Sequence, residues 1–286
     1  MNVLAAILIL ALLFSGGNVF DMSKKIRPIK FNYETEEQYR IAFAFAPSQH
    51  LPSYKEVAEA GFNVVHTYLR NDIKFLDECQ KYGLKAIVPI SGDNLEEVLN
   101  RIKDHPALLA VYPWDEPGLY GRPNKNEQEQ IYERIKRVSQ KVKLFGNWNG
   151  IYWKRWMNLD AADFISFSCY PYQWSQNPTA YLCRYEWKVR DYIKRDIPVI
   201  PIIQAFYGGQ YKEPDVIKQY EFWSEHLKTN SYGVYCWGAG ESALRGIIHD
   251  ERLMREVREI NNIQGGQEGK DSISAFPRRH SRIPAH

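Results

Sequence analysis

The chain has 286 residues, 44% of them hydrophobic and 25% charged, with a formal net charge of +3. That length supplies one large core, and so small a charge gives no electrostatic case for binding nucleic acid. Cys79, Cys169, Cys183 and Cys236 form no CxxC pair, so neither a zinc-site pattern nor a disulfide framework is present. They read as buried free thiols, with one disulfide open if the protein is exported.

Residues 1–22 read as a signal peptide or an N-terminal anchor. Val3 to Phe14 is an unbroken apolar run, the length of a signal-peptide core rather than of a membrane span. The residues before it carry no Lys or Arg, Lys24 and Lys25 follow it, and no clean A-x-A cleavage pattern appears. A cleaved signal and membrane anchoring through residues 3–14 therefore both stay open. Either one makes the protein secreted, or anchored on the extracytoplasmic side.

From residue 40 a rhythm begins. Apolar runs at 41–47, 62–68, 84–90, 108–114, 143–149, 163–172, 198–206 and 232–240 predict eight strands. Between them lie helix-patterned segments. Ser53 can cap one that stops at Gly61, and a second, from Asn71, stops at Gly83. Further helices are predicted over 93–103, 124–142, 178–195, 214–229 and 250–260, with a short aromatic segment at 152–159. Eight alternating units predict a single (β/α)8 TIM barrel over residues 40–262. An open doubly wound sheet is the runner-up, but the loop after Pro47 lacks the glycine-rich first turn it would want. Residues 263–286, rich in Gly, Ser, Arg and Pro, read as a disordered tail.

In such a barrel the chemistry gathers where strands end. The predicted strand ends carry His66, Tyr68, Trp114, Asp115, Glu116, Asn147, Tyr170, Tyr172, Gln204 and Trp237, with Glu241 in the loop after strand eight. Aromatic faces and hydrogen-bonding groups together suit a carbohydrate, which offers C–H faces and many hydroxyls. The segment Val111–Gly118, VYPWDEPG, sets two carboxylates side by side at the fourth strand. Adjacent residues on a regular strand point to opposite sides, so one of the pair is expected in the site and the other bracing the loop. Trp114 is then a wall or stacking platform. No second His lies at a useful spacing from His66, and no P-loop or GxSxG is present. No metal and no cofactor is expected.

Asp115-Glu116-Pro117 at the end of strand four resembles the (β/α)8 glycoside hydrolase superfamily of clan-A type, in which a Glu at that place is the general acid. Tyr170 and Trp237 resemble the aromatic residues of strands six and eight in that clan. The resemblance covers residues 40–262 and implies a glycoside hydrolase-like protein acting on an extracellular poly- or oligosaccharide. In that scheme Glu116 donates a proton to the leaving oxygen, and a nearby Asp115 carboxylate helps keep it protonated. The clan's nucleophile Glu ends strand seven, where this chain has Gln204, and an amide is neither a carboxylate nucleophile nor a base. Three alternatives follow. Another carboxylate, Glu241 first and Asp93 next, completes a pair; the substrate supplies its own nucleophile, as an N-acetyl group does in chitinase-like barrels, although their DxxDxDxE motif is absent; or the barrel binds carbohydrate without cleaving it. The hydrolase reading expects Asp115, Glu116, Tyr170, Gln204 and Trp237 to meet in one cleft.

Overall fold

The computed structural model describes residues 32–34, 37–43, 53–117, 121–149, 153–209, 211–237 and 245–265. The signal-like residues 1–22, Glu241 and almost all of the predicted tail lie outside these. Eight parallel strands close into a barrel in chain order: β1 Arg40–Phe43, β2 Val64–His66, β3 Lys85–Pro89, β4 Leu108–Tyr112, β5 Lys143–Asn149, β6 Phe164–Cys169, β7 Val199–Gln204 and β8 Tyr232–Tyr235. Closure is made by β1 against β8, with Ile41 opposite Gly233 and Phe43 opposite Tyr235. The fold is the single (β/α)8 barrel that the rhythm of runs predicts.

The intervening helices are α1 Tyr54–Glu59, α2 Ile73–Lys81, α3 Leu95–Ile102, α4 Lys125–Val138, the single turn α5 Trp153–Trp156, the short α6 Pro171–Trp174, α7 Pro178–Tyr192, α8 Val216–Leu227 and α9 Glu251–Gly265. Several of their starts follow from side chains that accept otherwise orphaned N–H groups. Ser53 with Glu56 and Asn124 with Glu127 form reciprocal capping boxes. Asp72 caps Phe75 N, and Asp215 caps Lys218 N. α1 stops at Gly61, at φ 86°. A Cβ there would sit 2.7 Å from that of Asn261, so this turn needs glycine twice over, for its φ and for its space. α9 runs three residues past the predicted end of the barrel at 262. Ahead of β1, Tyr33 is buried and donates its hydroxyl to the Ile193 carbonyl, so the barrel unit begins before residue 40.

Inward positions recur every second residue and fill the barrel: Ile41 and Phe43, Val64 and His66, Ala110 and Tyr112, Ile200 and Ile202. The interior is thus packed with rings and branched side chains, not open as a pore. All four cysteines are free. Three are buried, but Cys183 on α7 is exposed, against the expectation that all four are buried.

Candidate functional site

β4 ends at Tyr112, two residues short of the predicted Trp114. The alternation of faces therefore no longer governs Asp115 and Glu116. Glu116 takes φ 38°, a left-handed conformation that costs a non-glycine residue about 1–2 kcal/mol. The consequence is a correction to the sequence reading: both carboxylates line one cavity instead of parting to opposite sides.

That cavity, about 210 Å³, opens at the carboxyl ends of the strands. Tyr68 of the β2 loop, Asn147 of β5, and Ser168 and Tyr170 at the end of β6 form its walls beside the carboxylates. Phe206 and Tyr211 of the β7 loop and Tyr235 of β8 form an aromatic side. Phe206 meets Tyr170, Tyr211 and Tyr235 edge-on at centroid distances of 5.3, 5.8 and 5.4 Å. The volume suits one small polar unit, since drug-sized sites run to roughly 300–1,000 Å³.

Asp115 is held by donors. The Tyr112 hydroxyl lies 2.5 Å from Oδ1 and the Asn147 amide 3.2 Å from the same oxygen, and the Tyr68 hydroxyl donates as well. Asn147 is itself fixed: its amide reaches Ser168 Oγ at 3.2 Å, and its Oδ1 accepts from Ser166 Oγ at 3.0 Å. Burial raises the Asp115 pKa above the ordinary carboxylate value, and the three donors pull it back only in part. Burial, with Glu116 nearby, also pushes the Tyr170 hydroxyl well up, so it remains a neutral donor. The cavity thus pairs acidic acceptors with phenolic donors, and no Lys or Arg is among its described lining residues.

Asp115, Glu116, Tyr68, Asn147 and Tyr170 are therefore brought together, and the other predicted site residues are not. His66 is fully buried as part of the floor, stacked on Phe43 at 4.0 Å and edge-on to Tyr112 and Tyr68. Desolvation lowers its pKa to about 3, so the ring is neutral. Trp114 is buried edge-on against Trp148 and is no wall of the cavity. Trp237 is wholly buried against Phe62, because Cys236 and Trp237 pair through their carbonyls with Ile247 and Ile248 and leave the barrel mouth. The Tyr172 phenol feels the charges of Asp215 and Lys218 on the α8 side, and only its backbone faces Gln204.

Gln204 is fully buried and every part of its amide is engaged. Oε1 accepts from the N–H groups of Tyr172 and Gln173 at 3.0 and 3.1 Å, and Nε2 donates to the Phe206 carbonyl at 3.0 Å. Gln219 of α8 grips its backbone, accepting from Gln204 N and donating to Gln204 O, each at 3.0 Å. Gln204 fastens the β6 and β7 loops and does not line the cavity. The sequence reading missed Tyr112, Ser166, Ser168, Gln173, Tyr211 and Tyr235. The serines did carry a signal: at 166 and 168 they share a strand face with Phe164 and Tyr170, and a polar pair on an inward face calls for partners.

Comparison of the sequence with protein-family profiles and with curated proteins finds no match. Solved structures do resemble it in fold. A GH2 β-galacturonidase from Eisenbergiella tayi, bound to galacturonate, aligns with a TM-score of 0.62 at 14% identity over 79% of this chain. A β-D-glucuronidase from Dictyoglomus thermophilum gives 0.59 at 13% identity over 81%. A β-glucuronidase from Ruminococcus gnavus in complex with D-glucaro 1,5-lactone gives 0.57 at 12% over 78%. The alignments cover 51%, 50% and 50% of those chains, so this chain spans about half their length. At such identity the likeness is one of fold alone: a (β/α)8 barrel.

Proposed function

We propose that the protein is a glycoside hydrolase-like enzyme of extracellular carbohydrate, with Glu116 as the general acid. One observation carries this reading: Asp115 and Glu116 both face a single cavity at the barrel's carboxyl-terminal mouth, among phenols and amides suited to sugar hydroxyls. Glu116 gives its proton to the glycosidic oxygen as the bond to the anomeric carbon breaks, which removes the cost of expelling an alkoxide. Asp115 stands beside it, held in place by Tyr112 and Asn147, and its carboxylate form would stabilise the positive charge that develops on the sugar. The galacturonidase and glucuronidases of like fold lend support to a glycoside as substrate. The absence of a cation among the described lining residues favours an uncharged sugar over a uronic acid. Export, read from residues 3–14, fits an extracellular glycan.

The buried, fully engaged Gln204 favours a second reading, a barrel that binds glycan without cleaving it. A screen of aryl glycosides and polysaccharides with wild type and Glu116→Gln separates the two. Sugar release by wild type alone is the expected result. Binding by both proteins with cleavage by neither selects the binder, and neither cleavage nor binding overturns both readings.

A further inference from the structure

Asp115 is reached by donors from two sides. Tyr68 lines the cavity with it. Tyr112, the last residue of β4, is buried in the barrel core and is not among the cavity's described lining residues, yet its hydroxyl lies 2.5 Å from Asp115 Oδ1. Its ring is held edge-on by Phe43, His66 and Tyr68 at centroid distances of 5.7, 4.4 and 6.1 Å, so the hydroxyl has a fixed aim. Burial pushes this phenol well above its ordinary pKa, so it stays a neutral donor. Asn147 reaches the same oxygen from β5. Its two N–H groups go to Asp115 Oδ1 and Ser168 Oγ, each at 3.2 Å, and Ser166 Oγ lies 3.0 Å from its Oδ1. Turned end for end, this amide would set its oxygen against the carboxylate. Asn147, expected from sequence to bind sugar, therefore has both N–H groups committed. A carboxylate oxygen has two lone pairs, and both on Oδ1 are taken, so the capacity of Asp115 to accept from a ligand lies on Oδ2.

We propose, resting on the glycosidase reading, that Tyr112 and Asn147 are positioning residues of this site: acting through Asp115, they saturate its Oδ1, keep the group a carboxylate and turn Oδ2 to the sugar. Both hydrogen bonds favour the charged form, against the burial that favours the neutral one. Removing either bond leaves Asp115 protonated to a higher pH. It also costs turnover more than affinity, because the negative charge matters most once positive charge has developed on the sugar. The other titratable groups around Asp115 are Glu116 beside it, Tyr68 on the β2 loop, Tyr170 at the end of β6, Tyr211 on the β7 loop and Tyr235 on β8. His66, against Tyr68 and Tyr112, is neutral, its pKa lowered to about 3. Glu116 is a second carboxylate, so the test reads Asp115 itself as well as the pH dependence of turnover.

The full chain is isotopically labelled at the aspartate carboxyl carbon. The Asp115 signal, identified by its loss in Asp115→Asn, is titrated by NMR in wild type, Tyr112→Phe and Asn147→Leu. Tyr112→Phe keeps the ring contacts to Phe43, His66 and Tyr68, and Asn147→Leu leaves Ser166 its hydrogen bond to the Gly146 carbonyl at 3.1 Å, so both variants retain the packing that folds them. Thermal melts check this. The proposal expects the Asp115 midpoint to rise by about one pH unit in each variant. In an aryl-glycoside assay the acid limb of the kcat/KM profile moves up with it, while the alkaline limb, which reports Glu116, stays in place. At the plateau, kcat falls by about tenfold with KM within about twofold. An unmoved Asp115 midpoint in either folded variant overturns the proposal, whether or not a glycoside is cleaved, and a lowered melting temperature alone marks a merely structural role. A raised midpoint with an unmoved acid limb overturns the link from these residues to turnover. A raised midpoint in a protein that cleaves no glycoside supports the hold on Asp115 and overturns the glycosidase reading.

Discussion

Gln204→Glu restores the side chain that a two-carboxylate glycosidase would carry at this strand end, and the structure predicts that it fails. The wild-type amide uses Oε1 to accept two backbone N–H groups and Nε2 to donate to the Phe206 carbonyl, with no exposure to water. A carboxylate keeps the acceptor and turns the donor into a second acceptor facing a carbonyl oxygen. Losing that hydrogen bond and leaving a buried acceptor unpaired costs about 1–3 kcal/mol. The buried charge, compensated in part by the two N–H groups, brings the total to about 2–5 kcal/mol. At about 2–4 °C per kcal/mol for a chain somewhat smaller than this one, the melting temperature falls by roughly 4–20 °C near neutral pH. The deficit depends on pH in a definite sense. Burial raises the folded-state pKa of the introduced carboxyl above the ordinary glutamate value of about 4.3, so the deficit is small below that value and grows as pH rises through the folded value. Protonated, the new carboxyl donates to Phe206 as the amide did. Thermal melts of both proteins at pH 4 and pH 8, with an aryl-glycoside assay, read this directly. A variant as stable as wild type at pH 8, or one that gains glycosidase activity, would refute the view that Gln204 is a fastening and not a disabled nucleophile.

Three further outcomes follow from the same packing. Asp115→Asn removes a carboxylate whose pKa is raised by burial. A raised carboxylate loses folding stability as pH climbs through its folded value, so the variant should melt above wild type at pH 8, converge with it in acid, and lose activity. Gly146→Ala drives a Cβ to within 2.0 Å of the Trp148 ring on the outer face of β5, and urea unfolding should show a loss of about 2–3 kcal/mol. Trp237→Ala opens a cavity against Phe62 and should cost about 3–5 kcal/mol, yet calorimetric titration of the folded variant should give an unchanged glycan affinity. Weakened glycan binding there would return Trp237 to the site.

The barrel was legible because its strands are buried on both faces and its helices on one, so apolar runs and 3.6-residue periodicity alternate without ambiguity. All eight runs contain a strand, and Ser53, Gly61 and Gly83 mark helix ends as their chemistry dictates. The site was legible at Asp115 and Glu116, where a motif carried it, and at Tyr68, Asn147 and Tyr170, which lie just where strands end. The rest turned on where strands stop. An aromatic run such as YGVYCWGAG does not reveal that pairing ends at Tyr235, and two residues later Trp237 has turned outward. LLAVYPW likewise conceals the end of β4 at Tyr112, which puts Tyr112 on Asp115 and Trp114 against Trp148. Tyr211 reaches the cavity from a loop that folds back through its pairing with Gly208, and that contact has no periodic signature.

The central claim, proton donation by Glu116, is tested most directly by leaving-group dependence. Wild type and Glu116→Gln are compared on the best aryl glycoside scaffold, with phenols graded from strongly to weakly acidic as leaving groups. A general acid matters most where the departing oxygen needs its proton. The account predicts a loss of about 10²–10⁴-fold in the variant on the least acidic phenols, and a far smaller loss on the most acidic ones. An equal loss across the series, or a variant as active as wild type on all of it, would contradict the assignment of Glu116.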